Sequence, residues 1–252
     1  MCTLIVAHKV FKDFPIVIAA NRDELLDRPS EPPISRDDEY GTFAPKDLAR
    51  GGTWIGVNKF GVLAGITNRI DIKSKGGRKS RGDLVIEMLH HKTAFEAYGA
   101  LSELSRQPFN GFNLVIADKN ELFLIRGDGI LMHCTLERAG VLVVTNQGIG
   151  RPGESSLPRR SENVLRVWYE GRLAELEPTL ENLTPLLSIH DEGCYGTCIS
   201  EPENNYGTKS SSVIRLGDNE FEYFHRDRPT TDQHVCAANF GEKMRIKINP
   251  SA

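Results

Sequence analysis

The chain predicts an α+β fold in which two antiparallel sheets are each covered by a layer of helices. Three observations carry that expectation. Strand signals fall in two blocks, a pair of helical segments follows each block, and no internal repeat or low-complexity tract interrupts the alternation. At 252 residues the chain is long for one core. It nevertheless lies within the range of layered β-rich folds, so residues 1–252 are expected to form a single domain.

The elements follow in order. Cys2 to Phe11 and Pro15 to Ala20 alternate as strands around the turn Lys12-Asp13-Phe14-Pro15, which makes an antiparallel hairpin. Asp27 to Arg50 is rich in proline and charge and reads as a rim or lid loop. Thr53 to Asn58 and Val62 to Thr67 form a second hairpin around Lys59-Phe60-Gly61 and end at Asn68. Leu84 to His90 and Ala94 to Leu104 have helical spacing. Asn113 to Asp118, Glu121 to Arg126, Ile130 to Leu136 and Val141 to Thr145 read as a four-stranded meander. Pro158 to Tyr169 and Thr179 to Leu187 are the second helix pair, and Ser211 to Leu216 with Glu220 to His225 form a closing hairpin.

Composition narrows the function classes. A net charge of -3 supplies no long-range attraction to nucleic acid or anionic membranes, so neither is the expected partner. No apolar run approaches the ~18 residues that span a bilayer, and no basic segment leads into an apolar one at the start. The expected location is therefore cytoplasmic. Five cysteines, at 2, 134, 194, 198 and 236, form a sparse, odd set that reads as reduced thiols. Cys194 and Cys198 lack the spacing of a zinc knuckle, so no metal or other cofactor is expected.

Cys2 is the chemically telling residue. If an aminopeptidase removes Met1, one residue carries both a thiol and a free α-amine, with pKa values of ~8.5 and ~7.7–8.0. The amine can then take the thiol proton as the sulfur attacks. A turn centred near Asp13 puts Cys2 opposite Asp23 or within two residues of it, beside Asn21-Arg22-Asp23-Glu24. Four polar residues directly after Ile-Val-Ile-Ala-Ala need partners, and a charged catalytic terminus supplies them; a solvated strand end is the plainer alternative.

Met1-Cys2, Ala19-Ala-Asn-Arg-Asp-Glu24, Arg28-Pro29, Gly51-Gly-Thr-Trp-Ile-Gly56, Thr67-Asn68, Arg81-Gly82, Asn110-Gly-Phe-Asn-Leu114, Thr145-Asn146 and Tyr206-Gly-Thr208 occur in order along nearly the whole chain. Together they resemble the NRDE family, also called the transport and Golgi organisation protein 2 family. That family in turn is similar to the N-terminal-nucleophile (Ntn) cysteine hydrolases, which include choloylglycine hydrolase and penicillin V acylase. The resemblance implies a four-layer αββα sandwich with Cys2 at the end of a central strand. It also implies Cys2 as nucleophile, Asp23 as the carboxylate that orients the terminal amine, and Asn68 and Asn146 as polar groups around the tetrahedral oxyanion.

Two positions depart from the acylase pattern. Ala20 stands where that branch carries arginine, and Arg22 could supply the charge only from the face opposite Asn21 and Asp23. The branch's late arginine has Lys209 as its nearest candidate, a point charge instead of a planar fork. Asn21, Arg22, Trp54 and Lys209 are therefore the expected substrate contacts.

The reading is an amidohydrolase acting on a small molecule with a linear amide or related acyl bond. The alternative is a non-enzymatic carrier of haem or an acyl lipid on the same scaffold, as the resemblance also allows. Five cations between Lys73 and Arg81, close to Asn68, read either as a solvated loop or as a surface that receives an anionic substrate.

Overall fold

The computed structural model describes residues 2–104, 109–228, 240–241 and 243–248. The first hairpin pairs β1 (Cys2–His8) with β2 (Ile16–Leu25). The second strand thus runs on through Asn21-Arg-Asp-Glu24 instead of stopping at Ala20. The proline-rich stretch expected as a loop contains two strands, β3 (Ser30–Ser35) and β4 (Phe43–Asp47). Pro32 and Pro33 are tolerated because β3 lies at a sheet edge and the ladder skips them, its register jumping from Glu31–Lys46 to Ile34–Ala44.

β5 (Ile55–Val57) and β6 (Leu63–Asn68) follow, then helices α1 (Arg81–Leu89) and α2 (Ala94–Leu104). Thr93 caps α2, its Oγ1 accepting the Glu96 N–H at 3.1 Å. Next come β7 (Phe112–Ala117), β8 (Leu122–Gly127) and β9 (Met132–Leu136). These three form a meander, but β10 (Gly140–Thr145) leaves it and pairs with β1 in the other sheet. The physical reason is that β10 is apolar on both faces, with Leu142 and Val144 buried on one and Val141 and Val143 on the other. The mostly exposed β9 could cover neither face.

The chain continues through β11 (Gly148–Gly150), α3 (Arg159–Glu170), α4 (Leu180–Leu187), β12 (Ser200–Glu201), β13 (Tyr206–Leu216), β14 (Glu220–Asp227) and β15 (Met244–Lys247). One sheet runs β11-β10-β1-β2-β13-β14-β15, with β12 on β13; the other runs β3 through β9 in sequence order. All strand pairs within both sheets are antiparallel.

Three apolar cores define four layers. Leu4, Val6, Ile16, Ile18, Leu63 and Val115 pack between the sheets. Ile5, Val17, Val143, Val164 and Trp168 lie under α3 and α4, and Ala64, Met88, Ala97 and Leu114 lie under α1 and α2. Strand alternation sorts the residues: even positions of β1 and β2 face the other sheet and odd positions face α3 and α4. The result is an αββα sandwich.

Among the cysteines, Cys2, Cys134 and Cys194 are free thiols whereas Cys198 is disulfide-bonded, which corrects the expectation that all are reduced. Spacing along a chain does not report which sulfurs the fold brings within bonding distance.

Candidate active site

The site grows from one rung of the first hairpin. Cys2 pairs with Arg22, one residue from Asp23, so the thiol and the guanidinium project from the same face, toward the facing sheet. Arg22 is 4% exposed and its guanidinium stacks 4.2 Å over the Trp54 ring. Its Nη2 donates to Asp47 Oδ2 at 3.1 Å, an oxygen that also accepts from Arg28 Nε at 2.9 Å. Arg22 Nη1 is buried with no hydrogen-bond partner among the described residues.

Cys2, Arg22, Asp23, Trp54 and Asn68 line one cavity of about 230 Å³. Cys2 itself is half-buried, and burial pushes its thiol up from the ordinary value.

The cavity wall depends on two glycines. A Cβ on Gly52 would lie 2.5 Å from the Gly82 carbonyl carbon, so only glycine lets the loop before β5 meet the start of α1. That approach brings Arg81 to the same cavity.

Asp23 borders this cavity, but its carboxylate faces the other way, toward α3. Arg160 Nη1 donates to its Oδ2 at 3.1 Å and to Thr3 Oγ1 at 3.0 Å, and Thr208 Oγ1 donates to Oδ1 at 2.7 Å. Both partners of the Arg160–Asp23 ion pair have fully buried side chains. Burial raises the Asp23 carboxyl above its ordinary range, against the pull of Arg160.

Arg160 was not singled out from the sequence, although a signal exists. It stands four residues before Val164 and eight before Trp168, on the apolar stripe of α3, where an unpaired charge is untenable.

Asn21 shares the α3–α4 face and does not line the cavity. Its Nδ2 donates to the Leu187 and Thr197 carbonyls at 2.9 and 2.8 Å, and its Oδ1 accepts from Ser211 Oγ at 2.6 Å. An amide so occupied staples β2 to α4 and β13, which removes it from the expected substrate contacts. Lys209 is also apart from the cavity lining. It sits where the β2–β13 register shifts, and its Nζ donates to the Leu26 carbonyl at 2.7 Å. Burial lowers its ammonium from the ordinary value.

The two candidate oxyanion asparagines are tied together through their neighbours. Thr3 pairs with Thr145, so Asn146 lies one step beyond that rung, on the side of β1 away from Arg22. Asn146 is 1% exposed, yet neither its Nδ2 nor its Oδ1 has a hydrogen-bond partner among the described residues. A buried amide left open at both ends is costly unless something else fills it.

Asn113, from β7, donates from Nδ2 to Thr67 Oγ1 and to the Thr145 carbonyl, each at 3.1 Å. It therefore clasps the residues immediately before Asn68 and Asn146. The Ile70 N–H adds a bond to the Asn146 carbonyl at 3.1 Å.

Among the described residues no group of three or more His, Cys, Asp or Glu side chains is placed to hold a metal ion, and no helix is long and apolar enough to cross a membrane.

The fold has known counterparts. The conjugated bile acid hydrolase of Clostridium perfringens, solved as its C2A mutant, matches with a TM-score of 0.58 at 11% identity, over 99% of this chain and 98% of that one. The Caenorhabditis elegans ortholog of N-acylethanolamine-hydrolyzing acid amidase gives a TM-score of 0.56 at 17% identity, over 84% and 92%. Penicillin V acylase from Agrobacterium tumefaciens gives 0.53 at 12% identity, over 91% and 84%. At these identities the likeness is one of fold.

In sequence, the human transport and Golgi organization protein 2 homolog is 30% identical over 137 residues, which is 52% of this chain and 48% of that protein. A Saccharomyces cerevisiae relative, uncharacterized, is 34% identical over 106 residues, 38% of this chain and 33% of its own length. The matched segments thus span half or less of these relatives. The profile of one family aligns with residues 1–228, and the chain belongs to that family, Transport and Golgi organisation 2.

Proposed function

We propose that the protein is an N-terminal-nucleophile cysteine hydrolase of a linear amide or related acyl bond, active once Met1 is removed. Met1 lies outside the described residues. The observation that carries the reading is the open amide of Asn146, buried one step past the Thr3–Thr145 rung that follows Cys2, with the Thr145 carbonyl before it held by Asn113.

In this mechanism the Cys2 thiol passes its proton to its own α-amine as the sulfur attacks the acyl carbon. The carbonyl oxygen becomes an oxyanion that accepts from Asn146 Nδ2 and Asn68. Collapse returns the proton to the departing amine and leaves a thioester on Cys2. Water, deprotonated by the same α-amine, then releases the acid and restores the thiol. Asp23, fixed by Arg160 and Thr208, holds the terminal amine in place, and Arg22 supplies positive charge beside the sulfur.

The carrier alternative has less to build on. Cys2 is the single soft iron ligand among the residues that line the cavity, and most of that lining is charged or polar.

The test is acyl-enzyme trapping. Protein shown by mass spectrometry to begin at Cys2 is mixed with a panel of N-acyl amides and thioesters and quenched in acid. The acyl mass is expected on Cys2 and absent from Cys2→Ala and from a form that retains Met1. Undiminished turnover in Cys2→Ala would sink the mechanism.

A further inference from the structure

The Cys2 cavity is more cationic than a chain of net charge -3 leads one to expect. Arg22 and Arg28 are answered by Asp47 and Glu24. Five further cations line the same space: Arg50, Lys75, Arg78, Lys79 and Arg81. Among the described residues none of the five has a carboxylate within ion-pair distance.

Two of them are held in place. Arg78 Nη1 donates to the Phe109 and Gly129 carbonyls at 3.0 and 2.9 Å, and Arg81 Nη1 donates to the Gly111 carbonyl at 3.0 Å. The loop that carries Lys75 is pinned at its backbone, its N–H and C=O bonded to the Asn110 side chain at 2.8 and 3.1 Å. The Arg78 and Arg81 guanidinium groups are therefore fixed on the wall, and Lys75 stands on a pinned backbone, while Arg50 and Lys79 are exposed. Arg22 Nη1, buried without a partner, adds an open donor beside the thiol.

We infer that the substrate is an acyl compound bearing two or more negative charges on the part that lies against this wall. A single carboxylate would answer one cation; charges spread over several ångströms answer several at once. A phosphorylated group and a polycarboxylate share that chemistry. The inference rests on the proposed hydrolase for the acyl part alone, because the charge argument concerns binding.

Calorimetric titration of the intact chain with sodium pyrophosphate and with citrate, in 150 mM NaCl, tests it. Saturable one-to-one binding is expected for at least one of them, and Lys75→Gln/Lys79→Gln is expected to weaken it ~10-fold or more. Arg172→Gln, which changes an exposed cation paired with Glu175 beyond α3, should leave binding unchanged. Tighter pyrophosphate binding identifies a phosphorylated acyl compound, and tighter citrate binding a polycarboxylate. No saturable heat with either anion, or equal weakening by Arg172→Gln, overturns the inference. Because binding is read without turnover, its failure leaves acyl trapping on Cys2 unaffected, and failed trapping leaves the anion site standing.

Discussion

The two faces of β2 at its polar end make opposite use of buried polar groups. Toward α3 and α4, Asn21 and Asp23 are enclosed by Arg160, Thr208, Ser211 and backbone carbonyls. Toward the facing sheet, Arg22 keeps an open Nη1, and Asn146, across β1 from Arg22 and outside the cavity lining, keeps both ends of its amide open. Both faces are buried, so exposure does not distinguish them. The difference is satisfaction: a closed network fixes the scaffold, and an open one is where a ligand would supply the missing partners.

The largest break in that contrast is Arg160→Met, which removes the buried cation that answers the Asp23 carboxylate. Denaturant titration should show a loss of ~3–5 kcal/mol, partly recovered in the double variant with Asp23→Asn. An unchanged midpoint would mean that the closed face is not the scaffold.

Asn146→Ala comes next and should act on the opposite quantity. kcat is expected to fall ~10²–10³-fold while stability changes by less than ~1 kcal/mol, since no bond of the side chain is lost on substitution. A large stability loss with kcat intact would reassign Asn146 to packing.

Asn113→Ala sits between the two faces. It removes the Nδ2 bonds to the Thr67 hydroxyl and the Thr145 carbonyl, leaving that carbonyl the longer bond from Thr67 Oγ1 at 3.4 Å, and so should cost ~1–3 kcal/mol of stability. It should also lower kcat more than it raises KM, as measured on the substrate that trapping identifies.

The smallest effect is in pH. Burial disfavours the Cys2 thiolate, so in protein that retains Met1 the rate of iodoacetamide labelling at Cys2 should keep rising above pH ~8.5, the ordinary thiol midpoint. A plateau below that pH would show that nearby positive charge, the chain's terminal ammonium first and then Arg22, outweighs burial.

Much of the architecture was legible because it depends on local pattern. Apolar alternation and the Asp13 turn gave the first hairpin and brought Cys2 to within one residue of its predicted partner. Helical spacing gave all four α-helices of the described residues, and their ends move by at most three residues. The strands within Asp27–Arg50 were hidden by their prolines, which an edge strand tolerates. The transfer of β10 to the other sheet was hidden because a strand apolar on both faces carries no mark of its neighbour.

By itself, then, the sequence determined the hairpins, the helices and the thiol's place at a strand end, all of which follow from contacts near in the chain and from the period of the side chains. Tertiary structure alone decided that Arg160 answers Asp23 from 137 residues away, that Asn21 is consumed by α4 and β13, and that Asn146 is left open. Whether a buried polar atom is paired depends on what the rest of the chain brings to it, and no local pattern records that.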